Sequence, residues 1–421
     1  MNILIIFVYR LFLIPLLQFL ALLLSPLNTK LYTGLKLRRW LIGYPYRNPQ
    51  NFEYIWFHCS SGEFEYAKPV IREIKKQQPE QKILVTYFSP SVKESAERFP
   101  GVDLVVPSPI DSVFSVKAFL DCYKPKLMLV ARTDIWLESL IQCKLRKIPS
   151  ILFSATLSNS NSRLTNAFSR RFYSFAQSLF SSIYCVSHQD AALFKEMCPE
   201  TKIEVAGDTR FEQCFHRLYN PIKDHNSYFD ESKEYFIVGS SWEEDENVIV
   251  KIIEELTESM NVIIAPHEPS KSHLDNLTRA IELRGISPKL YSNFSNFSSK
   301  VTIVDKVGIL ADLYPHCRFA MIGGSFKSSV HSVMESLCAG CVTFVGPYHS
   351  NNREALEFAS IDGPEPGLKL VTEITEPEQL LSNVQHFRSA VDLNSFRKNL
   401  IEECQKRVGT SKALINQISK F

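Results

Sequence analysis

From Phe52 onward the chain alternates short apolar runs with polar stretches of helix length. The runs Tyr54–His58, Ile83–Tyr87, Leu104–Val106, Leu127–Val130, Ile151–Phe153, Ile183–Val186 and Ile203–Ala206 are too short for helices and predict buried strands. Between them, Phe64–Lys76, Val113–Tyr123, Leu137–Lys147 and Asp190–Met197 predict helices. That alternation is the signature of βα units on a parallel sheet, a doubly wound domain that binds ligands beyond the carboxyl ends of its strands. A polar stretch from His216 to Lys233, holding Pro221 and lacking apolar periodicity, predicts a domain boundary. The alternation then restarts at Tyr235–Gly239 and continues through Val262–Ala265, Phe319–Ile322 and Val342–Val345, and the tail from Leu393 predicts a charged amphipathic helix.

The first residues break this pattern. Ile3 to Leu24 is nearly continuous Leu, Ile and Phe, interrupted by Arg10, Pro15 and Gln18 and followed by Lys30, Lys36, Arg38, Arg39 and Arg47. A cleaved signal peptide would carry its positive charge before a shorter apolar run. The segment therefore predicts a membrane anchor, either one spanning helix or a helix sunk in one leaflet. The basic cluster is expected to stay cytoplasmic and meet anionic headgroups.

With 421 residues, 45% of them hydrophobic, the chain is long enough to bury two ordinary cores. A net charge of +2 gives no global bias toward nucleic acid. Ten cysteines scattered through apolar segments predict reduced, packed thiols.

The strongest chemical signal is Gly323-Gly324-Ser325-Phe326-Lys327-Ser328-Ser329-Val330-His331-Ser332-Val333-Met334-Glu335. It reads as a strand ending in two glycines, a hydroxyl-rich loop and a new helix, a setting in which unpaired backbone N–H groups attract a phosphate. His331 and Glu335, spaced i, i+4, would share one helix face. An ordinary strand-to-helix turn with solvated Ser, His and Glu is the alternative. A second signal is His58-Cys59-Ser60-Ser61-Gly62-Glu63, where Glu63 at a helix start is either a cap or a carboxylate poised to take a proton. Glu65 is expected to be solvated.

Several blocks, in order, resemble the Kdo (3-deoxy-D-manno-oct-2-ulosonic acid) transferases. Ser-x-Gly-Glu at 60–63 is similar to the motif whose Glu is the family's proposed general base. Gly323 to Ser325, His331 and Glu335, with Gly346-Pro347 and Asn352, resemble its donor-nucleotide loop, and Thr33 to Arg39 resembles its basic stretch. Ser154 to Ser158 and Gly207-Asp208-Thr209-Arg210-Phe211 resemble further blocks. Two departures stand out: Arg132 occupies the first of two places that are commonly acidic, Asp134 keeping the second, and Ser332 stands where the family has Asn.

The resemblance implies a GT-B fold, α/β, with two Rossmann-like doubly wound domains facing a cleft, plus the N-terminal membrane-anchor helix. The expected division is 1–42 anchor and basic stretch, 43–215 acceptor domain, 216–233 linker, 234–400 nucleotide-sugar domain, and 401–421 a helix packing back on the first domain. It implies an inverting glycosyltransferase of lipopolysaccharide biosynthesis at the inner membrane's cytoplasmic face. CMP-Kdo is the donor, a lipid A precursor the acceptor, anionic lipids the surroundings, with no cofactor, metal or nucleic acid. Glu63 would be the catalytic base; Arg132, Asp134 and Arg210 would bind acceptor or sugar. Ser240, His267, Gly324, Ser325, His331, Ser332 and Glu335 would bind the nucleotide. Arg132 would hold the Kdo carboxylate or a lipid phosphate, and Arg210 the donor phosphate or sugar carboxylate unless it is structural. Another nucleotide sugar, or a non-catalytic anchored relative, are the rival readings.

Overall fold

The computed structural model describes residues 2–27, 29–37, 44–48, 51–157, 166–221, 223, 225–293 and 296–418. Arg38, Arg39 and Ser158, named above, lie outside them. The chain divides into two compact units, Met1–Gln213 with Val408–Phe421, and Cys214–Arg407.

The first unit is built on seven strands: β1 (Tyr54–Cys59), β2 (Lys82–Tyr87), β3 (Leu104–Pro107), β4 (Pro125–Ala131), β5 (Ser150–Ala155), β6 (Ser182–Cys185) and β7 (Lys202–Val205). They pair in parallel in the order β3-β2-β1-β4-β5-β6-β7. Alternate residues feed opposite faces, as the two-residue period of a strand requires. Trp56, Leu84, Met128 and Leu152 join one core, and Phe57, Val85, Leu129 and Phe153 the other. Both faces being covered is why these strands read as unbroken apolar runs. The helix Phe64–Gln77 buries Phe64, Ala67, Val70, Ile71 and Ile74, a stripe at helical spacing, against the second core. The tail helix Thr410–Ile418 adds Leu414, Ile415 and Ile418 to that core.

The second unit repeats the plan with β8 (Tyr235–Ser241), β9 (Asn261–Pro266), β10 (Lys289–Leu290), β11 (Val301–Ile303), β12 (Phe319–Ile322), β13 (Val342–Val345) and β14 (Val371–Glu373), all parallel in the order β10-β11-β9-β8-β12-β13-β14. The polar stretch from His216 begins as the end of a helix, Arg210–Tyr219, and the division between units passes through that helix. In each sheet the winding reverses beside the first strand, between β1 and β4 and between β8 and β12, the places where such sheets bind ligands.

Asn2 through Leu27 is helical, with a π turn at Tyr9–Leu13, and Ile3–Leu27 is long and apolar enough to cross a membrane. All ten cysteines carry free thiols; Cys338 and Cys341, although spaced Cys-x-x-Cys, are both buried and unbonded.

Candidate active site

In the first unit the candidate residues cluster at the carboxyl ends of β1 and β4. Glu63 is the N-cap of helix Phe64–Gln77, yet its side chain makes no capping bond. It turns back so that Oε2 accepts the Ser61 N–H at 2.6 Å, and Oε1 has no protein partner among the described residues. A carboxylate used as a cap would instead accept N–H groups of the helix's first turn. Glu65 is instead paired with Lys68.

Asp134 is half-buried and well bonded. Its carboxylate accepts from His58 Nε2 at 3.2 Å, from the Ser60 N–H at 3.3 Å and from Trp136 Nε1 at 3.0 Å. Burial pushes its carboxyl up, but the charge and hydrogen bond of His58, with those of Ser60 and Trp136, carry it below the ordinary carboxylate range. His58 in turn meets the Thr86 hydroxyl at 2.9 Å, and Thr86 accepts from Trp56 Nε1 at 2.8 Å. Asp134 thus ties the β4 loop to the loop that carries Glu63.

Arg132 and Arg210 converge. Their guanidinium carbons lie 5.1 and 5.6 Å from the centre of the Tyr66 ring, within cation–π range. Arg132 Nη1 is 3.6 Å from Asp208 Oδ2, and Asp208 Oδ1 accepts the Arg210 N–H at 2.8 Å. Arg132 holds left-handed backbone at φ 66°, an unusual conformation for a side chain this long and one that concentrates at functional sites.

In the second unit the β8 and β12 loops meet. Gly323 is required there because a Cβ would come within 2.2 Å of the Ser240 carbonyl oxygen, and Gly324 lies at φ +82°. Ser240 itself is left-handed, at φ 56°. The ring of His331 stacks on that of His267, centroids 4.3 Å apart, and accepts from Trp242 Nε1 at 3.1 Å. Exposed Lys327 caps the Trp242 face, its Nζ 3.5 Å from the centroid. Burial, then the neighbouring His267, push His331 down to about 4. Two half-buried rings, the exposed ring of His267 and a cation thus gather at the switch point.

Two expectations need correction. Most of the loop's N–H groups are not held open for a phosphate: those of Gly324 and Phe326 donate to buried Asp245 at 2.7 and 3.0 Å, and those of residues 327 to 329 turn onto the Gly324 carbonyl. The helix is only Met334–Cys338, so His331 precedes it and shares no helix face with Glu335, which lies in its first turn. Ser325 is fully buried and donates its hydroxyl to the Ile322 carbonyl, while Ser332 Oγ accepts the Met334 N–H. What gathers at this point is a set of side chains, Trp242, His267, Lys327 and His331. Asn351 and Asn352 latch the loop from behind by bonding the carbonyls of Val330 and His331 at 3.0 and 2.8 Å. Sequence reading missed Trp242, Lys327 and Asp245; the acidic run after β8 was visible, but its third member looked like any favourable residue of a helix start.

Comparison with known proteins agrees with this architecture. The sequence model of the 3-deoxy-D-manno-octulosonic-acid transferase (kdotransferase) family matches residues 36–213. The 3-deoxy-D-manno-octulosonic acid transferase of Aquifex aeolicus is 27% identical over 336 residues, covering 78% of this chain and 86% of its own. That of Rickettsia felis is 25% identical over 384 residues, covering 87% and 79%. Among solved structures, the UDP-GlcNAc 2-epimerase of Neisseria meningitidis superposes with a TM-score of 0.64 at 15% identity, covering 88% of this chain and all of its own, a likeness of fold, of GT-B type. The chain is thus similar to the 3-deoxy-D-manno-octulosonic acid transferases, by the family model over residues 36–213 and by curated relatives over most of its length.

Proposed function

We propose that this transferase moves Kdo from CMP-Kdo to a sugar hydroxyl of a lipid A precursor, with inversion, at the cytoplasmic face of the inner membrane. The observation that carries the reading is Glu63, a carboxylate at the β1–β4 switch point with one oxygen held by the Ser61 N–H and the other unpaired among the described residues. Glu63 takes the proton of the acceptor hydroxyl as its oxygen attacks the anomeric carbon of Kdo. The bond from that carbon to the phosphate oxygen breaks, and CMP leaves with the electron pair.

The second unit, taken by itself, carries groups that suit a nucleoside monophosphate. Neutral His331 presents Nδ1–H because Nε2 is occupied by Trp242, and Lys327 brings a full charge. His267 and Trp242 offer rings to the base, and Ser240 and Glu335 are assigned to the nucleotide's hydroxyls. Groups already fixed where charge develops are worth most in the transition state. Arg132 and Arg210, side by side around Tyr66, suit the Kdo carboxylate and phosphate oxygens, which a guanidinium meets with two parallel bonds.

The test is to incubate the purified protein with CMP-Kdo and lipid A precursor and weigh the lipid by mass spectrometry. A product heavier by one or more Kdo residues is expected. No transfer from CMP-Kdo, with transfer from a UDP-sugar or from nothing, overturns the reading.

A further inference from the structure

Ile3–Leu27 spans about 37 Å at the rise of an α-helix, enough to cross a bilayer. Its first third, however, is fastened to the first unit. The Tyr9 hydroxyl donates to Asp111. Arg10 donates from Nε and Nη2 to Glu138 Oε2 and Oε1 at 2.8 and 2.9 Å, a two-pronged pair with a side chain that is 0% exposed. Asp111 also accepts the N–H groups of Glu138 and Ser139, both at 3.1 Å, so the two anchor points form one network. Ile5 and Tyr9 are buried in the same core cluster as Leu137 and Leu140.

The remaining faces of the helix are bare. Phe7, Leu11, Phe12, Leu16, Phe19 and Leu23 are all more than half exposed. A contiguous apolar face of this size does not stay in water. Crossing the bilayer would satisfy it, but Arg10 lies seventeen residues before Leu27. A spanning helix would carry it about 25 Å from that end, into or beyond the hydrocarbon, where the folded unit cannot follow. Glu138 would then be left buried without its cation, a costly state. Docking and spanning exclude one another.

We propose that the N-terminal helix lies in one leaflet of the bilayer, clamped to the first unit through Ile5, Tyr9 and Arg10 and sinking its remaining apolar surface among the acyl chains. The occupant of the bare face is lipid. Exposed Lys36 and Arg47, just beyond the helix, supply charge for anionic headgroups. Asp111 follows β3 and Glu138 follows β4, so the helix docks on the sheet edge that also carries Glu63. The leaflet surface is thereby held beside the carboxylate to which a lipid hydroxyl must come. That last consequence rests on the transferase reading; the leaflet geometry does not.

The full chain, extended at its N-terminus by an epitope, is added to sealed preformed vesicles of phosphatidylethanolamine and phosphatidylglycerol, and bound protein is recovered by flotation and treated with protease from outside. The epitope is expected to be lost without detergent, because both ends of the helix stay on the folded units' side. An epitope protected until detergent is added means a spanning helix and overturns the proposal, as does failure of the chain to float. The clamp is tested on vesicle-bound protein with Arg10→Glu, expected to lower the melting temperature, and Arg10→Glu with Glu138→Arg, expected to recover at least half of the loss. No recovery, or no loss in the single variant, overturns the clamp. Activity enters neither readout, so failure here is distinguishable from failure of the proposed reaction.

Discussion

The indole N–H of Trp242 donates to Nε2 of His331 at 3.1 Å, and that bond decides what the histidine can do. Trp242 follows β8 and His331 follows β12, neighbouring strands at the switch point, so the bond staples two loops together. It leaves Nδ1 to carry the proton. Protonating Nε2 would break the staple and set a cation against His267, stacked 4.3 Å away.

A pH dependence follows from this. Burial, then His267, lower His331 to about 4 in the folded chain, whereas an unfolded histidine titrates near about 6.5. The unfolded state therefore binds the proton first on acidification. The stabilisation is complete above about pH 6.5 and is lost as pH falls toward about 4. Melting curves between pH 7 and 4.5 are expected to fall more steeply for the wild type than for His331→Gln. Parallel pH profiles would show that the ring's titration is not linked to folding.

Asp245 is the hidden support of the glycine loop. Its carboxylate collects the N–H groups of Trp242, Gly324 and Phe326 at 2.9, 2.7 and 3.0 Å. Burial raises its carboxyl, and those three bonds, with Gly324 foremost, oppose the rise. Asp245→Ala leaves several buried donors unmet, a loss of about 3 kcal/mol by ordinary accounting for unsatisfied groups. Urea unfolding measures it, and a change under 1 kcal/mol would mean that water or a shifted loop replaces the carboxylate. Donor affinity should fall with it, since Trp242 and Lys327 sit on the segments it joins.

How far these features could be read from residues alone differs between the two units. The long central strands announced themselves, because burial on both faces makes them continuous apolar runs. The short strands β10, β11 and β14, of two or three residues, carry no such period. The position of Glu63 at a helix start was legible because it closely follows a run that reads as a strand. The fate of the glycine loop was not: two of its N–H groups are claimed by Asp245, far away in sequence, and no spacing within residues 323–335 reports that. Arg10 was likewise visible only as an interruption of an apolar run, its meaning fixed by Glu138, 128 residues later.

Arg132 separates structural from substrate roles by its chemistry. A lysine keeps the single charge that faces Asp208, at 3.6 Å, but loses the planar fork that grips a carboxylate or phosphate. Arg132→Lys is expected to retain most of the melting temperature while raising a substrate KM about tenfold, the loss of one good charge-assisted bond. Steady-state kinetics with donor and acceptor varied in turn assign the contact. If neither KM moves while Arg132→Ala lowers the melting temperature, the guanidinium serves Asp208 and Tyr66 alone.

Glu63→Gln is the sharpest test of the chemistry because it changes so little else. The amide oxygen can still accept the Ser61 N–H, so neither the loop nor the helix start loses a bond. What disappears is the capacity to take a proton. Loss of a positioned general base typically costs about 10²- to 10⁴-fold in rate, and here it should fall on kcat. Donor KM and melting temperature should stay at wild-type values. A variant that turns over within threefold of wild type would move the base elsewhere. A variant whose KM rises with kcat preserved would make Glu63 a binding group, and the proton would then have to leave by another acceptor.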